Sequence, residues 1–335
     1  MTDQGVGSDS NNYEVVFPNS VDKLKPTITK SKIEEFNRPI NLSKALKFFE
    51  RNFSDELEVF SKLGIALDSG KSKFYDPFRK LVIEDDFTNI GEHCLAVATC
   101  TLMLTRFLEK ERKIDAVSAN EAIRRALLHD AIKPWEIFLA RALRDNVISK
   151  EKYYDEAVFL SVVDVLITLG ISPEIANRLV TDYGSETDVR ECFPFFLREA
   201  HNGKINLKSG SMPKKIVHLA DNMTCSTMPS LESPSKHYFL TTWERMVAAD
   251  ADARYPWALK AGIAVNAKAE IFHTSDRLSL EKDSRALFHI HDALIALSSA
   301  IATEFCPKEK DPDLAIKIAV LAQMEDFSAY STHGC

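Results

Sequence analysis

The 335-residue sequence has no stretch of membrane-spanning length that is free of charge. Its longest apolar run, Ala157 to Gly170, is broken by Asp164, so no spanning helix is expected. Met1 to Asn12 is polar and acidic and offers no apolar run that would serve as a secretory signal. Its six cysteines (Cys94, Cys100, Cys192, Cys225, Cys306 and Cys335) include no CxxC pair. They read as reduced thiols, several on apolar helix faces, and the expected location is cytoplasmic. There is no P-loop, no Gly-rich dinucleotide fingerprint and no nucleophile-elbow serine to support other phosphate or acyl chemistry. Nor is there an excess of positive charge: 42 Lys and Arg against 49 Asp and Glu leave a net charge of -7. That balance gives no general attraction to nucleic acid or to an anionic membrane surface. A small anionic substrate stays allowed, because a bound metal would dominate its local field.

What the sequence does contain is helical periodicity over a 45% hydrophobic background, enough to bury one large core or two smaller ones. Strand-like alternation is nearly absent and no internal repeat is visible. Residues 1–40 read as a flexible tail, interrupted by Pro18, Pro26 and Pro39. Asn41 and Ser43 are alternative N-caps for a first helix through Phe48 and Phe49. Further helices are predicted at Asp55–Leu67, Gly91–Lys110, Ala119–Ile132, Pro134–Leu143, Lys150–Leu169, Pro173–Asp182, Asp188–Ala200 and Met212–Thr227. Three more are predicted near Lys236–Phe272, Lys282–Phe305 and Asp313–Met324, and residues 328–335 read as a short flexible tail. The fold class that follows is all-α, a helical bundle with additional C-terminal helices.

Three stretches place polar groups where an apolar face is expected. In the helix that carries His129-Asp130, the stripe Ala122, Ile123, Ala126 and Leu127 continues to Asp130, with His129 at its margin. His93 shares a face with Ala96, Val97, Cys100 and Leu104. A second inward carboxylate, Asp221, lies in Ile216-Val217-His218-Leu219-Ala220-Asp221 on a helix with little polar surface. A carboxylate aimed into a core is costly unless it is paired, hydrogen-bonded or metal-bound. Two imidazoles and two carboxylates suit a divalent ion (Mn²⁺, Fe²⁺, Zn²⁺ or Mg²⁺). For His93 or His129 alone, a satisfied core histidine is the commoner explanation; the combination favours metal.

The set of Gly91-Glu92-His93, Leu127-Leu128-His129-Asp130-Ala131-Ile132-Lys133 and His218-Leu219-Ala220-Asp221-Asn222 resembles the HD-domain superfamily of metal-dependent phosphohydrolases. The resemblance covers about Phe87 to Cys225, and the HDxxK stretch is its most specific part. It implies that residues 41–235 form an HD-type hydrolase domain with His93, His129, Asp130 and Asp221 as metal ligands. Residues 236–327 would pack on that domain or extend it, either closing the pocket or forming a homodimer surface. The implied reaction is hydrolysis of a phosphate ester, a nucleotide or cyclic nucleotide, by a metal-activated water. Asp130 would orient or deprotonate the nucleophile. Lys133, one turn beyond His129 and Asp130, would hold the substrate phosphate, as in the HD-GYP phosphodiesterases that this stretch distantly resembles. Pro134 places the expected helix end at Lys133.

His201, before Asn202-Gly203, is the candidate for widening the site to two ions, with a metal-free loop histidine as the alternative. HD-GYP enzymes carry two adjacent histidines and a Gly-Tyr-Pro motif there, whereas this chain has one histidine and Lys-Ile-Asn. His218, one turn before Asp221, either supports a ligand or bonds a neighbouring helix. The second HD pair, His291-Asp292 with His289, reads as ordinary helix residues, and Glu92 and Glu136 as supporting or solvated carboxylates. The alternatives in other classes are an HD-fold diiron oxygenase and a non-catalytic HD-derived signalling or interaction module.

Overall fold

The computed structural model describes residues 39–67, 72–85, 90–135, 138, 142, 145–153, 155–183, 210–226, 236–242, 245, 297–324 and 327. The expected tail before residue 39, the expected helix Asp188–Ala200, and His201, Glu136, His289, His291 and Asp292 lie outside them. Within them the architecture is mostly helical. Helix α1 (Leu42–Asn52) starts at Asn41, whose side chain accepts from the Lys44 amide, and buries Ala45, Phe48 and Phe49. Helix α2 (Ser54–Leu63) ends at Gly64, which takes the left-handed conformation at φ 74°. Ile40, expected at the end of the tail, is instead buried, and its amide donates to the His237 carbonyl at 2.8 Å.

At the centre runs α3 (Ile90–Lys110), apolar around nearly its whole circumference. It packs against α4 (Ala116–Leu128), α9 (Met212–Met223), α10 (Pro312–Leu321) and α1. The buried hydroxyls of Thr99 and Thr105 donate to α3's own backbone carbonyls, which lets a polar side chain sit in this core. Helix α4 begins at Asp115, whose carboxylate accepts from the Ser118 amide at 2.7 Å. The segment expected as one helix over Lys150–Leu169 is three short ones, α5 (Lys150–Tyr153), α6 (Glu156–Leu160) and α7 (Val162–Thr168). Asp155 restarts the chain by accepting from the Ala157 amide, which competes with helix continuation. Helix α8 (Pro173–Arg178) follows, capped by Ser172 with Pro173 in its first turn. It runs into a π-helical turn, Leu179–Tyr183. The helical stretch 297–305 and α10 agree with the expected C-terminal helices.

Two hairpin-like pairs depart from the expected absence of strands. β1 (Ser72–Asp76) and β2 (Leu81–Asp85) pair antiparallel from Ser72↔Asp85 to Asp76↔Leu81. The fully buried Asp76 closes the turn by accepting from the Phe78 and Arg79 amides at 2.8 and 3.1 Å. Phe74, also fully buried, meets Trp135 and Phe138 edge-on, with ring centroids 6.4 and 6.1 Å away. β3 (Thr224–Ser226) pairs antiparallel with β4 (His237–Phe239). Consequently α9 stops at Met223, short of the expected Thr227, and the segment expected to begin a helix at Lys236 begins as a strand. Residues 242 and 245 are helical again. No helix among the described residues is long and apolar enough to cross a membrane.

Candidate metal centre

Three helices deliver the site. His93 sits in the first turn of α3, which reaches its position because Gly91 has no side chain. A Cβ at Gly91 would stand 2.1 Å from the Ala66 carbonyl oxygen, far inside van der Waals contact. His129 lies just past α4 with helical backbone angles, and Asp221 lies near the end of α9. Their donor atoms converge: His93, His129 and Asp221 each place one ligand atom within 4.8 Å of the others. His93 Nε2 is 3.0 Å from Asp221 Oδ1, and His129 Nε2 is 3.6 Å from the same oxygen. The two imidazole centroids are 5.3 Å apart.

Asp130 joins from the side, its Oδ2 lying 3.8 Å from His93 Nε2 and 3.9 Å from His129 Nε2. Lys133 Nζ donates to that oxygen at 2.7 Å. The depth order differs from the sequence expectation. His129 is the buried one at 2% side-chain exposure, whereas Asp130 is 19% exposed. The expectation extrapolated an α-helical stripe through both residues, but α4 ends at Leu128 and residues 129–132 form a turn. The same break corrects Lys133, which belongs with Pro134 and Trp135 to the next helical stretch rather than ending the previous one.

A hydrogen bond fixes which nitrogen of His129 faces the site. His129 Nδ1 lies 2.8 Å from the Ala126 carbonyl oxygen. A carbonyl only accepts, so Nδ1 carries a hydrogen and Nε2 is the nitrogen turned toward the site, free to give a lone pair to a metal that displaces its proton. That Nε2 is buried with no hydrogen-bond partner. An unsatisfied buried polar atom costs about 1–3 kcal/mol, and a divalent cation is the group that would satisfy two imidazoles and a carboxylate together. The residues present therefore fit a metal, and the His93–His129–Asp221 group can hold one.

Electrostatics bind the carboxylates to the imidazoles. Burial pushes the Asp221 carboxyl up, but the His129 and His93 imidazoles beside it outweigh that and hold it well below the usual range. Asp130 is likewise lowered, burial being overcome by the Lys133 ammonium and the two imidazoles. Burial pulls His129 down, but the negative charge of Asp130 and contacts with Cys94 and Asp221 raise it well above the ordinary imidazole value. Cys94, one of the cysteines expected as reduced thiols, is a neighbour of the site beside His129; its one signal in the sequence is adjacency to His93. No family model, no curated protein and no solved structure matches this chain.

The other expected site residues sit apart or lie outside the described residues. His218 is fully buried, and its Nε2 lies 3.0 Å from Ser298 Oγ, tying α9 to the helical stretch 297–305. Glu92 is buried rather than solvated. Among the described residues His93, His129 and Asp221 form the one His/Cys/Asp/Glu group with metal-ligand spacing.

Proposed function

We propose that the chain is an HD-type metal-dependent phosphohydrolase acting on a phosphate ester of a nucleotide or cyclic nucleotide. The observation that carries this reading is the convergence of His93, His129 and Asp221 from three helices around an imidazole nitrogen that has no partner. The Asp130–Lys133 pair beside them supports it. The imidazoles favour Mn²⁺, Fe²⁺ or Zn²⁺ over Mg²⁺ as the ion. Bound there, the ion would supply Lewis acidity toward a phosphoryl oxygen and lower the pKa of water.

The protein's own groups divide the remaining work. Lys133, with its side chain 37% exposed, can swing from Asp130 to a phosphate oxygen and offset the charge that develops in the transition state. Asp130 is ionised at neutral pH because Lys133 and the imidazoles stabilise its charge. A carboxylate held that low is a weak base, so Asp130 serves chiefly as the hydrogen-bond acceptor that aims the attacking water. The Ala126 carbonyl keeps the His129 ring turned so that Nε2, not Nδ1, faces the site. The fold-family reading rests on the HDxxK stretch and on this geometry together.

The test is elemental analysis of protein purified without chelator, beside an Asp130→Ala variant and a His129→Ala variant. A Mn²⁺-supplemented hydrolysis screen over nucleotides and cyclic dinucleotides follows. Metal bound by the parent, weakened in His129→Ala, and hydrolysis abolished in Asp130→Ala support the proposal. Two irons per chain with a visible absorption band would move the assignment to the diiron oxygenase. A parent that neither carries metal nor takes it up ends the hydrolase reading.

A further inference from the structure

We infer that Asp182 is a positioning residue for the metal centre, clamping together the two helices that carry His129-Asp130 and Asp221. This rests on the metal-centre reading above and adds to it a residue that lies outside the HD-like motifs. Asp182 stands in the π-helical turn after α8, and its two carboxylate oxygens point to different helices. Oδ2 accepts from Arg125 Nη2 at 2.6 Å, on α4. Oδ1 lies 3.2 Å from Lys214 Nζ, on α9. Arg125 is one helical turn before His129 and Lys214 is two turns before Asp221. One carboxylate thus spans the two helices on the N-terminal side of both ligand positions.

The clamp is reinforced. Arg125 Nε lies 2.9 Å from Glu121 Oε1, which also accepts from Arg178 Nη2 at 2.5 Å. Arg178 Nε in turn lies 3.9 Å from Asp182 Oδ2. Three cations and two carboxylates therefore form one network over α4, α8, the π turn and α9. Arg125 and Lys214 are little exposed, with side chains at 10% and 14%, so solvent screens this network less than a surface pair. Arg125 and Lys214 hold the Asp182 carboxyl below its usual range against the opposing effect of burial. A π-helical turn is rare and recurs near functional sites; here it aims the carboxylate at both cations.

A separation of α4 and α9 by even a fraction of an ångström changes the His129 Nε2 to Asp221 Oδ1 distance, which sets whether one ion can bridge them. Mn²⁺ titration by calorimetry on the full-length chain reads this directly, with circular dichroism confirming the helical content. Asp182→Ala is expected to bind Mn²⁺ about 10-fold more weakly than the parent, the low end of the loss for groups supporting metal ligands. Asp182→Glu, which keeps the charge, is expected to recover most of that loss. Lys214→Met cuts only the α9 arm and is expected to move affinity in the same direction, which keeps the test available if Asp182→Ala does not fold. Parent-like affinity in folded Asp182→Ala or in Lys214→Met overturns the inference. If the parent itself binds no Mn²⁺, the metal reading fails separately. The clamp is then judged by the imidazole nitrogen NMR shifts of His93 and His129 in the metal-free protein. Shifts displaced by Asp182→Ala or Lys214→Met sustain the clamp, and unchanged shifts refute it.

Discussion

Gly91→Ala isolates how the start of α3 is seated. The added methyl carbon would lie 2.1 Å from the Ala66 carbonyl oxygen, 3.0 Å from its carbon and 3.2 Å from Ile65 Cγ2. Both nearest atoms are backbone, so relief requires moving either the chain at Ala66 or the first turn of α3 by about 1 Å. Overpacking of this kind costs about 1–3 kcal/mol. Against it stands the helix propensity gained on replacing glycine by alanine, about 1 kcal/mol in a helix interior. Gly91 is the second residue of α3, where that gain is reduced because the turn's amides have no intrahelical partners. The steric effect therefore wins, and net destabilisation of about 1–2 kcal/mol is expected. Because His93 is two residues further on, the displacement also reaches the site. Urea unfolding should show a lower midpoint with an unchanged slope, and Mn²⁺ titration should show weaker binding. A variant as stable as the parent and with equal affinity for Mn²⁺ would refute the reasoning that glycine is required for this approach.

The site also predicts a pH signature, read by urea unfolding and Mn²⁺ titration across pH. His129 binds its proton more tightly when folded, so its contribution to metal-free stability is full below about pH 6.5. That contribution fades as pH rises through the raised folded value. Asp221 is depressed, so its contribution is present above about pH 4 and fades as pH falls through the folded value. Metal-free protein is thus most stabilised by this cluster in the mildly acidic window between them, while Mn²⁺ affinity should rise with pH as the metal displaces the His129 proton. Metal affinity that is flat from pH 5.5 to 8 would contradict this linkage. Phe74→Ala should cost about 3–5 kcal/mol, as for other buried aromatic truncations, and release the hairpin from Trp135 and Phe138. A loss below 1 kcal/mol would show that the hairpin does not depend on this contact.

Much of the site was legible because its physics is local. Burying an imidazole or a carboxylate on an apolar helix face leaves a mark in the periodicity, so His93, Asp130 and Asp221 stand out in the sequence, with His129 beside Asp130. Helix existence was legible for the same reason, and Asn41 and Pro173 mark starts through a cap and first-turn geometry. The sequence alone also determined that no described helix would need to cross a membrane, since charge interrupts every long apolar run.

Tertiary structure decided what periodicity cannot carry. The hairpin Ser72–Asp85 is held by the Asp76 side chain and by Phe74 against Trp135 and Phe138, partners remote in sequence. The stop of α9 at Met223 depends on the pairing of Thr224–Ser226 with His237–Phe239 across the intervening chain. The reversal of depth between His129 and Asp130 follows from a turn at 129–132, where a 3.6-residue period no longer applies. The Asp182 clamp required knowing that a π-helical turn aims one carboxylate at both Arg125 and Lys214. Local pattern marks which segments carry polar groups inward; which buried groups meet is set by how α3, α4 and α9 cross, because that contact energy belongs to pairs far apart in the chain.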